Sequence, residues 1–263
     1  MIRTPLMNVM TAAAQKAAKG LRRDFGEVAM LQVSRKGPAD FVSAADRKSE
    51  EVLFQELSRA RPGYCFKMEE GGVVEGADKT HIWHIDPLDG TTNFLHGVPH
   101  FAISIGLERD GQMVAGLVYN PVTDEMYMAE KGQGAFLNNH RLRIAQRLNF
   151  DEALIVCGIP HIGRGDHKLF LKEMNVIMAR AAGVRRTGSA ALDLSYVAAG
   201  RFDCFYERGL SSWDIAAGSV IVREAGGYVS DVNGHDAFMA TGNIIAGNET
   251  MQREMVTLLK QAA

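Results

Sequence analysis

The sequence is poor in cysteine, and that scarcity excludes several kinds of site. Its three cysteines, Cys65, Cys157 and Cys204, lie far apart in apolar surroundings and form no C-x-x-C pair. A zinc ribbon or a thioredoxin-like redox motif would need such a pair. Scattered thiols of this kind are typical of buried, reduced cysteines in a cytoplasmic protein, which is the location we expect.

Long apolar runs and an excess of positive charge are also missing. No stretch approaches the ~18 uninterrupted apolar residues of a membrane helix, and the first residues show no apolar core or cleavage site of a secretory signal. The formal net charge is −2, so charge does not indicate a nucleic-acid partner. We therefore expect no membrane partner.

What is present fits one domain built from two fused halves. The 263 residues are 46% hydrophobic and 23% charged, which is ordinary for a globular chain with a large core. In the first half, about 1–145, two helical patterns precede alternating strands, and an Asp110-Gly111 turn joins two of them. In the second half, about 146–263, strands alternate with helices. We predict a single α/β (α+β) domain with an antiparallel sheet first and a mixed sheet second.

The segment from Asp86 to Asn93 carries the clearest chemical signal. An apolar strand runs directly into two carboxylates, Asp86 and Asp89, and Gly90 then permits a tight turn into a helix start. Hard carboxylate oxygens beside the free N–H groups of a helix start suit a divalent cation that bridges to a phosphate.

A helix cap is the simpler explanation of such acidic residues, but a cap needs only one carboxylate. Two within one turn repel each other by roughly a few kcal/mol at an effective dielectric near 20. The spacing Asp-x-x-Asp-Gly-Thr also differs from the Asp-x-Asp-Gly-Thr of haloacid-dehalogenase-type phosphatases, and the sequence has no EF-hand or P-loop motif. The pattern favours a metal site.

Two further acidic positions fit the same chemistry. Glu69 and Glu70 follow a short strand, and Asp214 begins a helix that we expect Ser212 to cap. Taken alone, each is more often a cap or a solvated charge. The scattered histidines show no comparable pattern, so we interpret them as structural. We interpret the Arg164-Gly165-Asp166 stretch as a turn.

At this point the residues resemble the inositol monophosphatase family. Its first signature is similar to Asp86-Pro87-Leu88-Asp89-Gly90-Thr91-Thr92-Asn93, and its second to Trp213-Asp214-Ile215-Ala216-Ala217 running on to Glu224-Ala225-Gly226-Gly227. The resemblance covers nearly the whole chain. It implies a layered α-β-α-β-α fold, usually in a homodimer. It also implies a lithium-sensitive phosphatase that hydrolyses myo-inositol monophosphate with two or three Mg²⁺ ions and metal-activated water.

The resemblance further implies roles for individual residues. Thr91 would orient the attacking water, with Asp46 behind it and Glu70 as the base, and Lys36 would lie on a mobile loop near the metals. The implied Mg²⁺ ligands are Glu70, Asp86, Asp89, Asp214 and the carbonyl of Leu88. The implied substrate contacts include four of these ligands and seven further residues. They are Glu70, Leu88, Asp89, Asp214, Gly90, Thr91, Arg185, Gly188, Ser189, Ala190 and Glu207.

Two alternatives remain open from the sequence. The same chemistry could act on fructose-1,6-bisphosphate, histidinol phosphate or a nucleotide 3′-phosphate, because relatives in the superfamily cover these small phosphorylated sugars and polyols. Some bacterial members also serve as regulatory binding partners of the transcription or RNA-processing machinery, which is a role of another class.

Overall fold

The computed structural model of the chain describes residues 4–27, 33–37 and 40–262, with the backbone alone for 33–37 and 40–43. The helices of this part are α1 (Pro5–Gly26), α2 (Ala44–Ala60), α3 (Thr91–Leu95), α4 (His167–Met178), α5 (Ala190–Ala198), α6 (Ser212–Glu224), α7 (Phe238–Thr241) and α8 (Glu249–Ala262). None of these helices is long and apolar enough to cross a membrane.

The strands of the first half are β1 (Val33–Gly37), β2 (Asp40–Ser43), β3 (Tyr64–Met68), β4 (Gly72–Val74), β5 (Asp78–Asp89), β6 (Ala102–Arg109), β7 (Gln112–Asn120), β8 (Glu125–Glu130), β9 (Gly134–Leu137) and β10 (His140–Arg141). Those of the second half are β11 (Leu154–Cys157), β12 (Gly183–Arg185), β13 (Cys204–Glu207), β14 (Tyr228–Ser230) and β15 (Ile244–Gly247).

Strands β1 and β2 follow helix α1 along the chain. The two strands pair antiparallel. The side chain of Lys36, which the resemblance places near the metals, lies outside the described part of the chain, as do those of 40–43.

The first large sheet has the order β10-β9-β8-β7-β6-β5-β3-β4. It is antiparallel, as expected, except for one pair, because β3 runs parallel to β5. In that pair Met68 lies opposite Ile85, and the N–H of Glu69 donates to the carbonyl of Ile85 at 3.2 Å. The parallel pairing therefore brings Glu69 and Asp86 to the same edge of the sheet.

The second sheet is mixed, as the alternating pattern predicts. Its order is β12-β11-β13-β15-β14. The strand β11 runs parallel to both β12 and β13, whereas β15 pairs antiparallel with β13 and β14.

The helices form three layers around the two sheets. One outer layer, α1 and α2, packs against the first sheet, α5 and α6 lie between the sheets, and α4 and α8 cover the outer face of the second. Each interface is a separate apolar cluster of buried side chains. The layered α-β-α-β-α fold is thus confirmed.

Helix α6 lies unusually close to the first sheet because two strand residues have no side chain. A Cβ added at Gly116 would lie 2.3 Å from the carbonyl oxygen of Ala217, and one at Gly106 would lie 2.6 Å from the Cβ of Ala216. The hydroxyl of Ser104 also donates to the carbonyl of Trp213 at 3.1 Å. These contacts fix the start of α6, where Asp214 lies, against β6.

Candidate active site

A pocket of about 170 Å³ opens where the end of β5 meets the starts of α3, α5 and α6. Most of the residues singled out from the sequence line it. These are Asp86, Leu88, Asp89, Gly90, Thr91, Gly188, Ser189, Ala190, Glu207 and Asp214. Segments more than one hundred residues apart in the chain therefore meet at one place.

Asp86 and Asp89 occupy an irregular end of β5. Asp86 pairs with Ser104 and Asp89 with Ala102, so two residues of β5 bulge out between them. The N–H of Leu88 donates to Asp86 Oδ1 at 2.9 Å. Pro87 has no N–H to give to the strand ladder, and the bulge turns both carboxylates toward the pocket.

Asp89 connects the strand to helix α5. Its Oδ2 accepts hydrogen bonds from Ser189 Oγ at 2.6 Å and from the N–H of Ala191 at 2.7 Å. The free N–H groups at the start of a helix favour a carboxylate there. The same side chain thus serves as a tether between two elements and as a carboxylate of the pocket.

Asp214 is the third residue of α6, and its Oδ2 accepts the N–H of Ser211 at 2.7 Å. The residue before the helix is Ser211, so the predicted cap at Ser212 is wrong by one residue. Ser212 Oγ instead lies 2.9 Å from Nδ1 of the buried His84, whose Nε2 lies 2.8 Å from Glu108. This histidine therefore links the sheet to the start of α6.

The structure brings Glu69, and not Glu70, to the pocket. Glu69 lines it and faces Asp86 and Asp214 closely enough to affect both carboxyl groups, whereas the N–H of Glu70 donates to Glu50 Oε2 at 2.8 Å. The sequence-based choice of Glu70 is corrected here. Successive residues at a strand end point in opposite directions, and the pairing of β3 with β5 decides which one faces inward.

A second correction concerns the arginine. Arg186 lines the pocket, whereas the exposed Arg185 ends β12 and its Nη1 donates to the carbonyl of Val184 at 3.0 Å. The reason is again the alternation of faces along an extended chain.

Thr91 has the surroundings that the resemblance implies. Its Oγ1 lies 3.0 Å from Asp46 Oδ1 and 3.0 Å from the carbonyl oxygen of Leu88. Asp46, on α2, is completely buried. The single hydroxyl hydrogen of Thr91 is used in a hydrogen bond to one of these two acceptors. A lone pair of Oγ1 can then accept a hydrogen bond from another donor.

Burial and mutual repulsion dominate the electrostatics of the pocket. Burial raises the pKa of Asp86 well above its usual range, and the charges of Glu69, Asp89 and Asp214 raise it further. Asp214 is affected in the same way, first by burial and then by Asp89. The pKa of Asp89 rises only to about 6, because the bonds from Ser189 and α5 stabilise its charged form.

Two more carboxyls that line the pocket have raised pKa values. Burial raises the pKa of Glu207 to about 8, with added repulsion from Asp193 and Asp89. Burial likewise raises the pKa of Asp193 to about 8, although the hydroxyl of Thr187 donates to it. The charges of Arg164 and Arg186 oppose the shift at Glu207.

The donor chemistry of this cluster fits a hard divalent cation. Carboxylates that share a buried site must repel one another or take up protons unless a positive charge compensates them, and oxygen donors are those that Mg²⁺ prefers. Among the residues described, no group of three His, Cys, Asp or Glu side chains stands close enough together to hold an ion as placed. The fit therefore rests on donor type and charge, not on a preassembled shell.

Besides Glu69 and Arg186, sequence reasoning missed three polar residues that line the pocket, Arg164, His161 and Asp193. Arg164, interpreted as part of a turn, donates from Nη2 to the carbonyl of Gly209 at 2.6 Å. Asp193 is the one charged residue of the otherwise apolar or small-residue helix α5, and a charge that must be buried among apolar neighbours is a usable signal. His161 has no such signal.

The fold and this pocket define a hydrolase of the phosphatase class. A model of the inositol monophosphatase family matches residues 3–263, and the chain belongs to this family.

The similar proteins carry two kinds of name, inositol-1-monophosphatase and SuhB. An inositol-1-monophosphatase of Mesorhizobium japonicum is 59% identical over 261 residues, covering 99% of this chain and 98% of the relative. The crystal structure of extragenic suppressor protein suhB from Bartonella henselae superposes with a TM-score of 0.96 at 51% identity, covering 99% of this chain and all of that one. A Nus factor SuhB of Pseudomonas aeruginosa is 40% identical over 260 residues, covering 97% of this chain and 96% of the relative.

Proposed function

We propose that the protein hydrolyses myo-inositol monophosphate to inositol and phosphate, with Mg²⁺ as cofactor and water as the nucleophile. The observation that carries the proposal is the pocket in which Glu69, Asp86, Asp89 and Asp214 meet beside the start of α3. The similarity to inositol-1-monophosphatases at 59% identity supports the choice of substrate.

The residues suited to hold Mg²⁺ are these four carboxylates and the carbonyl of Leu88, all of which line the pocket. When bound, the metal supplies positive charge to the phosphate and lowers the pKa of water. Water activated in this way makes a protein nucleophile unnecessary. The three cysteines are buried, and none of them lines the pocket.

The chain's own part in the reaction begins with the water. The hydroxyl of Thr91 donates its hydrogen bond to Asp46 or to the carbonyl of Leu88. Its Oγ1 can therefore accept a hydrogen bond from the attacking water and orient it. The carboxylate of Glu69 receives the proton that the water loses. Asp46 acts on Thr91 and does not touch the substrate.

The remaining lining residues hold the substrate. Gly90 adopts a φ of +96°, which exposes the first N–H groups of α3 to a phosphate oxygen. At the other end, Glu207, Asp193 and Arg186 face the space left for the polyol. A carboxyl with a pKa of about 8 can donate or accept a hydrogen bond near neutral pH, which suits a substrate hydroxyl.

A phosphate-release assay tests the proposal directly. We expect release from myo-inositol 1-phosphate that requires Mg²⁺, stops with chelator and is lost in Asp89→Asn, whereas Asp151→Asn on the exposed surface keeps it. The panel includes fructose-1,6-bisphosphate, histidinol phosphate and a nucleotide 3′-phosphate. If one of these esters has a higher kcat/KM than myo-inositol 1-phosphate, it replaces that compound as the proposed substrate. Full turnover in excess chelator would contradict the proposed requirement for Mg²⁺.

A second role is favoured by the relatives named Nus factor SuhB. We infer that the chain also serves as a regulatory partner of the transcription or RNA-processing machinery. A pull-down with the inactive Asp89→Asn variant separates the two roles. Recovery of such proteins with this variant supports the regulatory role, and a clean eluate contradicts it.

A further inference from the structure

A second cavity of about 60 Å³ adjoins the active pocket. The two share five lining residues, Gly158, Ile159, His161, Arg164 and Glu207. A Cβ at Gly158 would lie only 1.9 Å from the carboxyl carbon of Glu207, so the carboxyl packs directly on the backbone there. Glu207 thus stands between the two spaces.

The cavity contains buried polar atoms that no described residue satisfies. Tyr206 and Glu173 both line it, with exposures of 1% and 0%. Tyr206 Oη and Glu173 Oε2 have no hydrogen-bond partner among the described residues. Leaving such atoms unpaired in a protein interior is costly, and each therefore indicates a ligand group at that place.

The ion pair between Glu173 and Arg208 favours a neutral ligand group at the second oxygen of Glu173. Glu173 Oε1 accepts two hydrogen bonds from Arg208, at 2.9 and 2.5 Å, so its charge is already compensated while Oε2 remains an acceptor. Burial raises the pKa of Tyr206, so its Oη stays protonated and can donate. An alcohol hydroxyl offers both functions, because it donates one hydrogen bond and accepts others.

The apolar part of the wall and the size of the cavity restrict the chemical class of the ligand group. Ile159, Pro160 and Phe170 contribute apolar surface, which suits C–H groups. A space of about 60 Å³ holds only a few water-sized groups, since each needs ~10–15 Å³ by this measure. The fitting group is an uncharged, hydroxyl-bearing chain end, too small to be a second ring.

We propose that this cavity is a subsite for the terminal hydroxyl of an extended polyol phosphate. The polyol chain would extend past Glu207, and its terminal hydroxyl would form hydrogen bonds with Tyr206 and Glu173. The proposal rests on the phosphatase function proposed above. It extends the proposed substrate class to linear or substituted polyol phosphates that reach beyond the space of a single ring.

The test compares tetritol, pentitol and hexitol monophosphates, each with its terminal-deoxy analogue, against myo-inositol 1-phosphate. In the wild-type protein we expect kcat/KM to favour the hydroxylated form about three- to tenfold, once the chain is long enough to reach the cavity. In Tyr206→Phe that preference falls to about one, whereas kcat/KM for myo-inositol 1-phosphate changes less than about twofold. The matched control is Tyr228→Phe, an exposed tyrosine that keeps the wild-type preference.

Tyr206→Phe removes one unpartnered oxygen, so we expect its melting temperature to be unchanged or slightly higher. Should it fail to fold, Glu173→Gln provides the same comparison. The subsite is ruled out if the preference for the hydroxylated ester over its terminal-deoxy analogue is the same in the variant and the wild type. It is also ruled out if the wild type shows no such preference at any chain length, and the cavity then holds only water. Failure of the proposed function looks different, because no ester of the series, including myo-inositol 1-phosphate, then releases phosphate.

Discussion

Glu69 and Glu70 offer the same carboxylate one residue apart, and only Glu69 lines the pocket. We expect Glu69→Gln to lower kcat by roughly 10²- to 10⁴-fold, because the amide cannot accept the proton of water. Glu70→Gln should stay within a few-fold of the wild type. Phosphate release at saturating substrate measures both.

Melting curves accompany this pair, since a loss of fold would imitate a loss of chemistry. If Glu70→Gln is the inactive variant and Glu69→Gln the active one, the assignment of the base returns to Glu70. Equal kcat in both variants would remove the general base from the proposal altogether.

At the scale of elements, Asp89 tethers the end of β5 to the start of α5 through Ser189 and Ala191. Its pKa is raised to about 6, above the ~3.9 of an unfolded aspartate, so its ionised form at pH 8 costs stability. Without metal at pH 8 we expect Asp89→Asn to melt no lower than wild type, because the amide oxygen keeps the tether. Asp89→Ala should lose ~1 kcal/mol, as for a lost cap.

Adding Mg²⁺ separates the tether from the metal site. Binding to the native state raises the melting temperature by mass action, so the wild type should gain much more than Asp89→Asn. Scanning calorimetry with chelator and with Mg²⁺ measures this. Equal gains in both proteins would show that Asp89 is a tether and not a ligand.

The close contact of α6 with the first sheet makes a second prediction at this scale. Gly116→Ala places a Cβ 2.3 Å from the carbonyl oxygen of Ala217, which forces α6 away from the sheet. We expect a loss of ~1–3 kcal/mol in the free energy of unfolding, as for overpacked cores, and weaker Mg²⁺ binding because Asp214 moves with the helix.

The matched control is Gly20→Ala in α1, where an added Cβ meets nothing within 4 Å. It should stabilise the protein by ~0.5–1 kcal/mol and leave Mg²⁺ binding unchanged. Denaturant unfolding and metal titration measure both variants. A Gly116→Ala protein with wild-type stability would mean that α6 is free to shift without cost.

For the whole molecule, the buried carboxyls make stability depend on pH. The folded pKa values of Glu207 and Asp193 are both about 8, above those of the unfolded chain. Their contribution is therefore complete below about pH 4 and is lost as pH rises through 8. Without metal, the free energy of unfolding should fall across this window by up to ~1.4 kcal/mol per pH unit for each group.

Glu207→Gln tests this slope, because the amide does not titrate. Its stability should vary less between pH 6 and 8 than that of the wild type, as measured by denaturant unfolding with chelator. The charges of Arg164 and Arg186 oppose the shift of the Glu207 pKa, so they narrow the pH window of the loss and leave the slope within that window unchanged. An identical slope in both proteins would assign the dependence to other groups.

The assembly of the whole molecule stays a prediction. The resemblance implies a homodimer, and light scattering of the purified chain measures it. The single domain with halves at about 1–145 and 146–263 is likewise a prediction. Helix α6 belongs to the second half by sequence and packs on the first sheet, so we expect both halves to unfold in one transition.

The sequence by itself determined what depends on neighbours along the chain. Gly90 needs a φ of +96°, which favours glycine at the turn. Asp86, Asp89 and Thr91 are held by that same turn, so their spacing alone placed them together. Amphipathic periodicity likewise determined α1, because burial of one face follows the helical repeat.

Only the tertiary structure decided which of two adjacent residues faces the pocket. Glu69 was chosen over Glu70 by the parallel pairing of β3 with β5, and Arg186 over Arg185 by the end of β12. A shift of one residue in an extended chain reverses its face. Burial of Asp193 and the cavity beside Glu207 were also decided there, because desolvation and cavities arise only when segments distant in sequence pack together.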